Sequence, residues 1–121
     1  MQNTNSETKI KEINCNELLE IINLDTNAKL IDVRDQPYYE NNHIKGAISI
    51  PLKELHERDL GFLKKDDTII TYCSELKCPA STTAAKILLS LGYKNVLDYK
   101  GGLEDYKKAK LPLESSAYGT K

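Results

Sequence analysis

One short stretch restricts the fold of this chain more than any other. Thr68-Ile69-Ile70-Thr71-Tyr72 is an apolar, β-branched run that reads as a buried strand. Cys73 follows at once, then the loop Ser74-Glu75-Leu76-Lys77-Cys78, and Pro79 opens a helical pattern. Proline suits the first helical position, where its missing N–H has no intrahelical partner to lose. Ala84, Ala85, Ile87, Leu88 and Leu91 form the apolar stripe of that helix, and Gly92 suits its end. The predicted unit is strand, cysteine, loop, helix N-terminus. The first amides of a helix lack backbone partners and lie at its positive end. A thiol held there is pushed towards thiolate, and an anion can dock beside it. Cys73 is therefore the candidate sulfur nucleophile.

The rest of the chain alternates strands with helices. Lys9–Ile13 reads as an edge strand, and Asn14-Cys15-Asn16-Glu17 has the form of a capping box that starts a helix. Cys15, in its first turn, is expected to be a packing residue. Lys29–Val33 is a continuous apolar strand, the pattern of a parallel sheet covered on both faces. Pro37 opens a short helix, Ala47–Pro51 is a third strand, and Leu52 to Arg58 a weak helix. Asn95–Tyr99 is the fifth strand, and Gly101-Gly102 turns into a last helix, Leu103–Lys108. The pattern predicts one α/β domain over residues 9–114, between flexible tails at 1–8 and 115–121. Ligands of such folds bind beyond the carboxyl ends of the strands, where Cys73 stands.

Composition narrows the function classes. The 121 residues carry a formal charge of −1 with lysines and glutamates interleaved, which gives no reason to expect a nucleic-acid partner. No apolar run approaches the roughly 20 residues of a membrane span. The first residues, Met1 to Ser6, have neither the basic nor the apolar region of a signal peptide. With three cysteines, the expectation is free thiols in a cytoplasmic protein without membrane partners.

Several segments together resemble the rhodanese family. Leu30-Ile31-Asp32-Val33-Arg34-Asp35, followed by His43-Ile44-Lys45-Gly46-Ala47-Ile48-Ser49-Ile50-Pro51-Leu52, is similar to its first signature. The Cys73 unit occupies the place of its active site. Tyr99-Lys100-Gly101-Gly102-Leu103-Glu104-Asp105-Tyr106, with Leu111-Pro112 after it, resembles its closing signature, with Tyr106 where a tryptophan is usual. The resemblance implies a three-layer fold: a five-stranded, mainly parallel sheet with helices on both faces. It also implies sulfurtransferase chemistry. The cysteine takes sulfane sulfur from a small donor or a persulfidated protein, holds it as a persulfide, and passes it to a thiol or other nucleophilic acceptor. No metal or organic cofactor is implied.

The loop departs from the family pattern. Where many relatives carry an arginine before the helix, this chain has Cys78, with Lys77 beside it. Lysine offers a point charge without the bidentate fork of arginine. Cys78 is close enough in sequence to attack an oxidised or persulfidated Cys73, releasing sulfide and leaving a disulfide; the other reading is a small residue packed at the helix start. Ser81 and Thr82 are candidate hydroxyl donors to the loop, or simple caps. Asp32 and Arg34 are read as architecture bordering the site, His43 as a turn-stabilising hydrogen-bonder, and Tyr72 and Tyr99 as aromatic walls at the strand ends. Two other functions compete. One is a thiol redox sensor or a non-catalytic binding module using Cys73 and Cys78. The other is a cysteine phosphatase or arsenate reductase, which needs a loop arginine to clamp a tetrahedral oxyanion, and no arginine follows Cys73.

Overall fold

The computed structural model describes residues 9–115. Seven strands and four α-helices follow one another as β1 (Lys11–Ile13), α1 (Cys15–Leu24), β2 (Lys29–Asp32), α2 (Gln36–Asn41), β3 (His43–Ile44), β4 (Ile48–Ser49), β5 (Thr68–Tyr72), α3 (Ala80–Ser90), β6 (Asn95–Tyr99), α4 (Gly102–Lys108) and β7 (Leu113–Glu114). Five strands form one sheet in the order β1-β6-β5-β2-β4, and every neighbouring pair is parallel. The mixed α/β fold with a five-stranded parallel sheet is the one expected from the sequence.

Side-chain alternation along β5 builds both cores. Ile69 and Cys73 face α3, among Ile31, Val33, Val96, Ala84, Ala85 and Leu88. Ile70 and Tyr72 face the opposite side, among Leu18 of α1, Tyr99, and Leu103 and Tyr106 of α4. Ile69 and Ile70 are both fully buried, each stabilising the domain by about 1.5–3 kcal/mol relative to an exposed side chain. The predicted capping box is present: the Glu17 amide donates to Asn14 Oδ1 and the Asn14 amide to Glu17 Oε1, both at 2.8 Å. Gly92 follows the C-cap of α3 with φ +100°, as its position required.

Four details differ from the expectations. The third predicted strand is only Ile48–Ser49: the Ala47 amide turns to the Ile44 carbonyl, and the Ile50 amide closes the pairing with β2 at the Asp32 carbonyl. The segment after Pro51 is a single 3-10 turn, Leu52–Glu54, rather than a helix to Arg58. Its buried residue Leu55 lies three positions after Leu52, and Arg58 is drawn back to donate to the Ser49 carbonyl at 2.7 Å. α3 begins one residue after Pro79. Finally, β3 and β7 form a separate antiparallel pair, with Glu114 opposite His43. The expected tails at 1–8 and 115–121 lie outside the described residues except for Ser115, whose hydroxyl donates to the Glu40 carbonyl at 3.0 Å.

Candidate active site

Cys73 stands at the carboxyl end of β5, the central strand, and is 5% exposed. Its backbone is fixed from α4. The Leu103 amide donates to the Cys73 carbonyl at 3.0 Å and the Glu104 amide to the Ser74 carbonyl at 2.8 Å. Gly102 makes that approach possible. Its φ is +67°, and a Cβ there would lie 2.6 Å from the Cys73 carbonyl oxygen and 3.0 Å from the Glu75 nitrogen. Glycine alone fits both the backbone angle and the space.

The loop then curls back. The Cys78 amide donates to the Glu75 carbonyl at 3.1 Å, and Cys73 and Cys78 are joined in a disulfide with their Cα atoms 6.4 Å apart. From the other side, Lys100 Nζ donates to the Cys78 carbonyl at 2.9 Å. Lys100 lies within the closing signature, which by itself assigns it no role. Its position just before Gly101-Gly102 was the available signal, since that turn must pass beside the loop. The other loop side chains point outward: Leu76 is 62% exposed, and Ser74, Lys77 and Pro79 are exposed. Lys77 makes no hydrogen bond or ion pair with the described residues. Glu75 is half-buried.

α3 has no side-chain cap. Ser81, in its first turn, is buried, and its carbonyl accepts from the Thr71 hydroxyl at 2.9 Å. Thr82 turns away from the loop: its hydroxyl donates to Asp98 Oδ2 at 2.6 Å. An open cleft of about 500 Å³ adjoins the cysteine, lined among others by Val33, Arg34, Tyr38, Leu52, Cys73 and Ser74.

Asp32 and Arg34 bond to each other and not to the loop. Arg34 Nη2 lies 2.8 Å from Asp32 Oδ2 and Nε 3.0 Å from Oδ1, while Nη2 also donates to the Asn42 carbonyl at 2.6 Å. The Tyr72 hydroxyl donates to Asp32 Oδ2 at 2.7 Å and accepts from the Ile44 amide at 3.0 Å. This network ties β2, β5 and β3 together below the cleft. Tyr72 and Tyr99 are thus core residues, fully buried, rather than cleft walls; the aromatic at the cleft is Tyr38. Burial pushes both phenols well above their usual range, reinforced by Asp32 at Tyr72 and by the hydrogen bond to Asp105 at Tyr99. His43 Nδ1 donates to the Tyr39 carbonyl at 2.7 Å, and its ring stacks on Tyr39, as a structural histidine would. Cys15 is a free, half-buried thiol packed against the second core.

A parallel α/β domain presenting a cysteine at the carboxyl end of its central strand, on a loop that enters a helix, is the class defined by these features. The chain belongs to the rhodanese-like domain family, whose profile matches residues 14–109. It is 40% identical over 82 residues to the thiosulfate sulfurtransferase PspE of Escherichia coli (strain K12), covering 67% of this chain and 76% of that protein. Among solved structures, the crystal structure of the BH2092 protein from Bacillus halodurans is similar with a TM-score of 0.81 and 33% identity, over 88% of this chain and 77% of that one. The solution structure of the rhodanese-like domain of the Alr3790 protein from Anabaena sp. gives a TM-score of 0.78 at 25% identity, over 93% and 85% of the two chains.

Proposed function

We propose that the protein is a sulfurtransferase in which Cys73 accepts a sulfane sulfur and passes it to a thiol. The observation that carries the reading is Cys73 itself: it ends the central strand, borders an open cleft, and precedes a helix whose N-terminus has no side-chain cap. After reduction of the disulfide, the Cys73 thiolate attacks the outer sulfur of a donor such as thiosulfate. The S–S bond of the donor breaks, sulfite leaves with the bonding pair, and Cys73 becomes a persulfide. An acceptor thiolate then takes the outer sulfur and Cys73 leaves as thiolate. The uncapped α3 amides favour the anionic sulfur at each stage. The name of PspE, a thiosulfate sulfurtransferase, supports thiosulfate as the donor to try first.

An oxyanion-clamping phosphatase or arsenate reductase is disfavoured, because the loop has no arginine and Arg34 is occupied by Asp32 and Asn42. A thiol redox switch is the second reading, favoured by the Cys73–Cys78 disulfide. The two are separated by assaying sulfite release from thiosulfate in the presence of an acceptor thiol. Turnover that disappears in Cys73→Ser is the expected result; a reduced protein that never turns over thiosulfate or polysulfide removes the sulfurtransferase reading.

A further inference from the structure

The sulfur-loading reading leaves Cys78 without a task, yet the loop is built around it. Each cysteine has its backbone held from outside the loop: Cys73 by the Leu103 amide, and Cys78 by Lys100 Nζ. The turn from Glu75 to Cys78 brings their Cα atoms to 6.4 Å, inside the usual ~4.4–6.8 Å range of disulfides. Cys78 is bonded to Cys73 Sγ, the atom that would carry the sulfane sulfur, whereas a dissolved acceptor has to arrive through the cleft. A thiol fixed in this way competes at an effective concentration far above that of a dissolved thiol.

We infer that the loaded protein discharges its sulfur internally as hydrosulfide, making the chain a sulfane-sulfur reductase as well as a carrier. The inference rests on sulfur loading at Cys73. The Cys78 thiolate attacks Sγ of the Cys73 persulfide, and the bond from Sγ to the outer sulfur breaks. The bonding pair leaves with the outer sulfur, which departs as HS⁻, while Cys73 and Cys78 become the disulfide. Two cysteine sulfurs are oxidised and the sulfane sulfur is reduced by the same two electrons. A dithiol reductant, by exchange, returns both cysteines to thiols and itself becomes a disulfide. The chemical class of acceptor is thus a dithiol that regenerates the loop, rather than a monothiol that carries the sulfur away.

The test is a single turnover under anaerobic conditions without added thiol. Reduced wild type and Cys78→Ser are each mixed with thiosulfate, and in parallel with polysulfide, then read by intact mass; sulfide is trapped in the thiosulfate arm. Wild type is expected to release one hydrosulfide per chain and end as the Cys73–Cys78 disulfide without added sulfur. Cys78→Ser is expected to keep one sulfur and to release none until a thiol is added. Wild type that retains a persulfide beside a free Cys78, while Cys78→Ser loads, overturns the inference alone. Failure of Cys78→Ser to load from either donor overturns the sulfurtransferase reading and this inference with it.

Discussion

Asp32 is a fully buried carboxylate, and its cost is offset by three partners: the Arg34 guanidinium, the Arg34 amide and the Tyr72 hydroxyl. Removing the cation from this cluster leaves a charge stranded in the core. Arg34→Met should therefore destabilise the domain by about 3–5 kcal/mol, read as a lower urea midpoint, and a shift under about 1 kcal/mol would contradict a load on the pair. Tyr72 adds a pH dependence of definite sign. Its folded phenol is raised above the ordinary value near 10, so above pH 10 the unfolded chain has lost a proton that the folded chain keeps. Stability is full below that pH and falls as pH rises past it, at up to about 1.4 kcal/mol per pH unit for one phenol. Urea midpoints between about pH 9 and about pH 11 should fall for wild type and less steeply for Tyr72→Phe; identical slopes would remove Tyr72 as a cause.

The functional unit is built from two segments that the chain keeps apart: β5 with its loop, and the turn after β6 that runs straight into α4. Gly102→Ala forces a left-handed backbone on a residue with a side chain and drives its Cβ into the Cys73 carbonyl. The backbone alone costs about 1–2 kcal/mol, and the loop must move as well, so sulfur loading should fall along with the urea midpoint. Lys100→Met is subtler. It releases the Cys78 carbonyl without touching Cys73, so loading of a Lys100→Met/Cys78→Ser protein should match that of Cys78→Ser, while closure of the disulfide in Lys100→Met alone slows several-fold. Equal closure rates would reduce Lys100 to a surface lysine. The sequence reveals the parallel strands because Thr68–Tyr72 is rich in β-branched residues and Lys29–Val33 carries Leu30, Ile31 and Val33, and it reveals Cys78 because only four residues separate it from Cys73. It conceals β3 and β7, which are two residues long and carry no periodicity, and it conceals Lys100, whose carbonyl acceptor lies 22 positions away. Thr82 stands in the first turn of α3 and the two tyrosines at strand ends, but their hydroxyls follow Asp98, Asp32 and Asp105, partners that only the packing of strands and helices brings near.

At the scale of the whole molecule, the parallel sheet and its two cores hold the fold, and the disulfide lies at the carboxyl end of the central strand. Its ring closes over a separation of five residues, for which chain entropy gives about 2 kcal/mol. Reduction should accordingly lower Tm by on the order of 10 °C while circular dichroism at low temperature stays unchanged, and unfolding on reduction would contradict the division of labour between sheet and loop. The central claim is that Cys73 carries sulfur. It is tested most directly by peptide mapping of reduced Cys78→Ser after exposure to a sulfane donor, with the thiols alkylated before digestion. One added sulfur on the peptide containing Cys73, and none on that containing Cys15, is the predicted result; no added sulfur at Cys73, or sulfur distributed between the two cysteines, would contradict it.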